Sequence, residues 1–177
     1  MKMVNSRAEV SEVFASIQGE GLFLGSMQLF IRFGSTTHDC RNNTTNHDEI
    51  PNQDFWFRTL PGTRNSRGKS PVTAHKLYKD IVKYFPLEQF FCMSMIGEEP
   101  LLHADFLADF LALLKRDNLK TFVQTSVPSA KDFARIVGTI DFLCLDIELP
   151  KKENGKELTR LASIIEMTSP DSTYLRL

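Results

Sequence analysis

The chain has 177 residues, with 21 basic and 22 acidic side chains, 42% hydrophobic residues and 3 cysteines. A formal charge of −1 with both signs interspersed supplies no global field for phosphate backbones or anionic lipid, which argues against a nucleic-acid partner. No run of about 18 apolar residues occurs and Met1–Arg7 lacks an apolar signal core, so a soluble, cytoplasmic protein without a membrane partner is expected.

One domain spanning 1–177 is the default at this length, able to bury about 70% of its unfolded surface. Cys40, Cys92 and Cys144 are odd in number, with 51 residues between successive members. That spacing argues against a disulfide scaffold and against a local CxxC metal knuckle. Val10, Val13, Phe14 and Ile17 mark a first strand that stops at the turn Gln18-Gly19-Glu20-Gly21. Met27 to Phe33 is nearly continuous in apolar character, as expected of a strand covered on both faces, and Arg32 is its single charge.

Residues 34–69 keep no period of 2 or 3.6, and a segment of that length without period reads as a functional loop or a disordered one. Phe55, Trp56 and Phe57 within it are expected to pack back onto the body, and Arg58, Arg64, Arg67 and Lys69 read as solvated. Ser70-Pro71 predicts an N-cap with Pro at the first helical position, and Val72, His75, Tyr78, Ile81, Val82 and Phe85 one helical face ending at Pro86. Gln89 to Ile96 reads as a strand, Gly97-Glu98-Glu99-Pro100 as a turn, and Asp105 to Arg116 as an amphipathic helix. Leu119 to Gln124 is a further strand; Ser129 with Asp132 opens a helix that stops at Gly138. Ile140 to Ile147 is a strand, and a helix over about 155–165 precedes a short strand, Tyr174 to Leu177. Strands alternating with helices of about ten residues specify βαβ units and a parallel sheet, whose function sits at the carboxyl ends of the strands.

Those ends carry a resemblance. Glu12-Val-Phe-Ala-Ser-Ile-Gln-Gly-Glu-Gly-Leu-Phe-Leu-Gly25, followed by Phe30-Ile-Arg-Phe33, resembles the N-terminus of 7-carboxy-7-deazaguanine synthases, radical S-adenosylmethionine enzymes of queuosine-precursor biosynthesis. Ser94-Met-Ile-Gly-Glu-Glu-Pro-Leu-Leu-His103 is similar to the family's segment that holds the amino group of S-adenosylmethionine. Val123-Gln-Thr-Ser126 and Leu145-Asp-Ile-Glu-Leu-Pro150 resemble two further strand ends. The resemblance covers essentially the whole chain and implies an α/β fold, a partial (incomplete) parallel β/α barrel of about six strands, with 34–69 as the cluster-loop excursion.

By resemblance Gln18, Glu20 and Arg32 contact a pterin-like substrate, and Gly97, Glu99, Thr125, Ser126 and Asp146 occupy S-adenosylmethionine-equivalent positions. A flat heterocycle with a carboxylate suits the first trio: Glu20 accepts ring N–H groups and Arg32 grips the acid in two-point fashion. Mutual pairing of Glu20 and Arg32 is the structural alternative. For Glu99, a carboxylate stabilising the helix N-terminus before Pro100 stands beside the ligand reading.

The family's three cluster cysteines, C-x3-C-x2-C, fall here on Thr36, Cys40 and Asn43, so two thiolates are absent. Neither a hydroxyl nor a carboxamide is an adequate soft anionic replacement. The threonine that assists magnesium in the family matches Thr45. Ile96, Glu98, Val127 and Glu148 replace the family's Thr, Gly, Gly and Lys. The resemblance implies a 4Fe–4S cluster, S-adenosylmethionine and Mg2+; the residues lead to the expectation that none is used, with Cys40 and Thr45 the only matched metal positions. A degenerate homologue binding a pterin- or deazapurine-like ligand or a partner is expected, and the family implies a homodimer. An active lyase with a divergent cluster site is one alternative; an interaction module, or a hydrolase whose metal is held by His38, Cys40, His47 and Glu98, is another. Cys92 and Cys144 read as small core residues.

Overall fold

The computed structural model describes residues 6–34, 60, 71–127, 129–147 and 155–176. Among these residues eight strands and four α-helices follow one another as β1 (Arg7–Ala8), β2 (Val10–Ile17), β3 (Met27–Phe33), β4 (Val72–Thr73), α1 (Ala74–Tyr84), β5 (Cys92–Gly97), α2 (Ala104–Arg116), β6 (Thr121–Thr125), α3 (Ala130–Ile136), β7 (Phe142–Asp146), α4 (Gly155–Glu166) and β8 (Thr173–Arg176). The six strands expected from the sequence form one sheet in the order β2-β3-β5-β6-β7-β8. All neighbours from β3 onward are parallel, and β2 joins β3 antiparallel. The reason is the connection: Gln18 to Ser26 is too short for a parallel crossover, so the chain returns as a hairpin.

Helices cover one face of this sheet. Leu29, Ile31 and Phe33 of β3, Met93 and Met95 of β5, Val123 of β6, and Leu143 and Leu145 of β7 share a core with Leu77 and Ile81 of α1 and with Phe106, Leu107, Phe110, Leu111 and Leu114 of α2. The α2 residues recur at helical spacing, so one stripe meets the sheet while Lys115 and Arg116 favour the helix's last turn. Phe106 and Phe110 are 1% and 0% exposed, and burying each contributes about 1.5–3 kcal/mol.

The start of α1 differs from the sequence expectation. Thr73, not Ser70, caps the helix by accepting a hydrogen bond from the Lys76 amide. Val72 and Thr73 are drawn into β4, which pairs antiparallel with β1 and postpones the helix. The buried face of α1 is accordingly Ala74, Leu77 and Ile81; His75 is exposed, and Val82 is 46% exposed. Neither β1 nor β4 is long enough to carry a periodic signal. Ser129 does cap α3, accepting from the Asp132 amide, and the helix relaxes into a 3-10 turn at Val137–Thr139. The loop 34–69 lies outside the described residues apart from Gly34 and Leu60, as do Phe55, Trp56, Phe57 and the four basic residues.

Candidate functional site

Side chains alternate across a strand, so the residues between the core positions line the sheet's other face. Those are Gln28, Phe30 and Arg32 on β3, Cys92, Ser94 and Ile96 on β5, Phe122 and Gln124 on β6, Phe142, Cys144 and Asp146 on β7, and Tyr174 and Arg176 on β8. This face is divided along the strands. Toward the amino ends Cys92, Phe122 and Cys144 form a small apolar cluster with Phe91, Phe142 and Tyr174, roofed by Phe23. The Phe23 ring lies 4.4 Å from that of Phe142 and 5.0 Å from that of Phe91. Toward the carboxyl ends the face turns polar, where functional groups collect in parallel α/β sheets.

Arg176 organises one side of this polar region. Its Nε and Nη2 donate to the two oxygens of Asp146 at 2.7 and 2.8 Å, and its Nη1 donates to Glu20 Oε1 at 2.6 Å. Gln124 Nε2 adds a hydrogen bond to Asp146 Oδ2 at 3.0 Å. Asp146, foremost, and Glu20 both raise the Arg176 pKa from its ordinary value. Glu20 arrives because the turn after β2 crosses the face to β8. Gly21, at φ +72, makes the approach possible: a Cβ there would lie 2.6 Å from the Tyr174 hydroxyl oxygen.

Arg32 occupies a different environment. Its guanidinium lies 3.2 Å from Glu12 and 5.1 Å from the centre of the Phe14 ring, which itself stacks on Phe30. The alternative in which Glu20 and Arg32 pair with each other is therefore corrected: each has another partner, because Glu12 stands opposite Arg32 in the β2–β3 register. Gln18 is buried, its backbone bonded to Ser26 and Gly25 across the hairpin.

At the ends of β5 and β6 Glu99 ties two loops together. Its Oε1 accepts from the Leu101 amide at 2.9 Å and the Thr125 hydroxyl at 2.6 Å; its Oε2 accepts from the Ser126 amide at 2.9 Å and hydroxyl at 2.8 Å. A carboxylate offers about four lone-pair positions, and four donors fill them. The N-cap role expected of Glu99 is thus present together with a cross-strand brace. Gly97, at φ +123, could carry no side chain, since a Cβ would meet the Phe33 carbonyl oxygen at 2.0 Å. Glu98 is exposed and lies against Gly34. Val127 takes φ +51, a left-handed conformation unusual for a β-branched residue. A cleft bounded by Ser126, Val127, Asp146 and Ile164 holds about 10 Å³, room for one water molecule.

Thr36, Cys40 and Asn43, which the resemblance matches to the family's cluster ligands, Thr45, which it matches to the magnesium threonine, and His38, His47 and Glu148 all lie outside the described residues. The two described thiols do not suit metal ligation. Burial pushes both Cys92 and Cys144 up to about 11, against an opposing hydrogen bond with Ser94 at the first and with Tyr174 at the second. Among the described residues no group of three His, Cys, Asp or Glu is placed to hold a metal ion, and no helix is long and apolar enough to cross a membrane. Arg176 escaped the sequence reading because its partners Glu20 and Asp146 are 156 and 30 residues away. The one available signal was a lone arginine on a terminal strand.

The architecture is that of an α/β protein with a mostly parallel sheet, a helix-covered face and a polar face at the carboxyl strand ends. Over 147 residues, 83% of its length, the chain is 30% identical to the 7-carboxy-7-deazaguanine synthase of Methanothermobacter thermautotrophicus, covering 52% of that protein. It is 28% identical over 155 residues to the 7-carboxy-7-deazaguanine synthase of Geobacter sulfurreducens, covering 85% of this chain and 61% of that protein. QueE from Escherichia coli superposes with a TM-score of 0.51 over 96% of this chain and 83% of that one, at 15% identity, a likeness of fold. No family model matches the chain. The chain is thus similar in sequence to 7-carboxy-7-deazaguanine synthases, and it spans about half to three fifths of the length of these two curated relatives.

Proposed function

We propose that this chain is a degenerate 7-carboxy-7-deazaguanine synthase homologue that lacks cluster-dependent radical chemistry and keeps a half-site for a pterin- or deazapurine-like ligand. What carries the proposal is the sequence itself: by the resemblance, Thr36 and Asn43 stand at two of the family's three cluster-cysteine positions. Neither side chain supplies the soft thiolate that an iron–sulfur cluster needs, and Cys92 and Cys144 are held protonated within the sheet. Glu99 supports the same reading, because its four acceptor positions are taken by Leu101, Thr125 and Ser126, which leaves none for an ammonium group.

Gln18, Glu20 and Arg32 are the residues assigned to the retained half-site. Contacts between the β2–β3 turn and β8, which start from opposite edges of the sheet, support a curved sheet and hence a partial barrel. The reading includes a cytoplasmic protein, working as a homodimer like its family. Thermal-shift measurements with carboxytetrahydropterin, a 7-carboxy-7-deazaguanine and S-adenosylmethionine test the ligand half. Stabilisation by either of the first two and none by the third is expected; stabilisation by S-adenosylmethionine alone would overturn the assignment.

A further inference from the structure

The proposed half-site contains an acidic group, Glu20, on an exposed turn, and a carboxylate there is a poor recognition element unless something fixes its direction. We propose that Arg176 is the positioning residue of this site: clamped by Asp146, it holds the Glu20 carboxylate in the orientation that receives the N–H edge of a flat heterocycle. The inference rests on the half-site reading given above.

Three features of the geometry support it. Asp146 and Arg176 are register partners on β7 and β8, so the aspartate meets the arginine's Nε and Nη2 as a fork, at 2.7 and 2.8 Å. A guanidinium held at two points has its remaining nitrogen aimed in a fixed direction, unlike a lysine ammonium. That nitrogen, Nη1, meets Glu20 Oε1 at 2.6 Å. Asp146 is itself steadied by Gln124, and the Glu20 turn is pressed onto β8 through Gly21 and Tyr174. Among the described residues Glu20 Oε2 receives no hydrogen bond, so one oxygen is anchored and the other is free to accept. Two carboxylates against one guanidinium leave an excess of one negative charge. A neutral, donor-rich edge such as the 2-amino-4-oxopyrimidine of a pterin or a deazaguanine matches this chemistry better than an anionic one.

The test is a double-mutant cycle in binding, read by isothermal titration with carboxytetrahydropterin and with a 7-carboxy-7-deazaguanine. Arg176→Lys keeps the charge but not the fork, and Glu20→Gln removes the acceptor. Each single variant is expected to weaken binding about tenfold or more, as the loss of a charge-assisted hydrogen bond does, with no further loss when the two are combined. A merely structural arginine would weaken binding equally in both backgrounds, and that additive result would overturn the proposal. Unchanged affinity in Arg176→Lys, beside clear binding by the parent, would also overturn it while leaving the half-site intact. Binding of neither ligand by the parent protein would remove the half-site and the role of Arg176 with it. Should Arg176→Lys fail to fold by circular dichroism, Asp146→Asn, which releases the fork, takes its place in the same cycle with the same predicted outcomes.

Discussion

Val127 shows how a single buried side chain can occupy a strained backbone conformation. Its φ is +51, and a left-handed conformation costs an L-residue roughly 1–2 kcal/mol. Val127 is 1% exposed, so its methyl groups offset the strain by burial. Val123, on β6, is 0% exposed in ordinary strand geometry. Val127→Gly should therefore destabilise the protein by about 1–2 kcal/mol less than Val123→Gly in urea unfolding, and equal losses would contradict the strain. The identity of Val127 was readable in the sequence, but its conformation was not, because nothing local demands a positive φ from a valine. The same holds for Glu99: its N-terminal capping role was legible beside Pro100, whereas the brace to Thr125 and Ser126 depends on a strand pairing 26 residues away.

Among the elements, the six strands of the main sheet were legible because their apolar runs end at Gly or polar turns, and α2 because its apolar stripe recurs through three turns. β1 and β4, two residues each, were not: such short strands exist through their pairing with each other, and that pairing moved the cap of α1 from Ser70 to Thr73. A second inter-element tie is Asp141, which accepts from the Thr121 amide and hydroxyl at the start of β6, each at 2.9 Å, and from Lys115 at the end of α2 at 2.5 Å. Burial acts to raise the Asp141 pKa, but the bonds from Lys115 and Thr121 outweigh it and hold the group below its ordinary value. A carboxylate depressed in the folded state contributes stability that is present above its unfolded pKa and is lost as pH falls through the folded value. Melting temperatures measured between about pH 5 and pH 2.5 should fall less steeply for Asp141→Asn than for the parent. Parallel curves would show that the tie contributes nothing.

For the whole molecule, one sheet is asked to serve two purposes. The helix-covered face holds the core, while the opposite face is packed by aromatic rings at the amino ends and left polar at the carboxyl ends, where Arg176, Asp146, Gln124 and Glu20 meet. The alternating pattern pointed to the carboxyl strand ends, but not to the division of this face into an aromatic and a polar part. The hub of the polar cluster was not visible either, because Arg176 gains its meaning only when β8 and the β2–β3 turn come together. The central proposal is that the chain lacks cluster-dependent radical chemistry, and it is tested most directly by anaerobic reconstitution with iron and sulfide followed by acid-labile sulfide analysis and reductive cleavage of S-adenosylmethionine. With Thr36 and Asn43 in place of thiolates, no stoichiometric sulfide and no cleavage are predicted. A stable, stoichiometric cluster that cleaves S-adenosylmethionine would contradict the account.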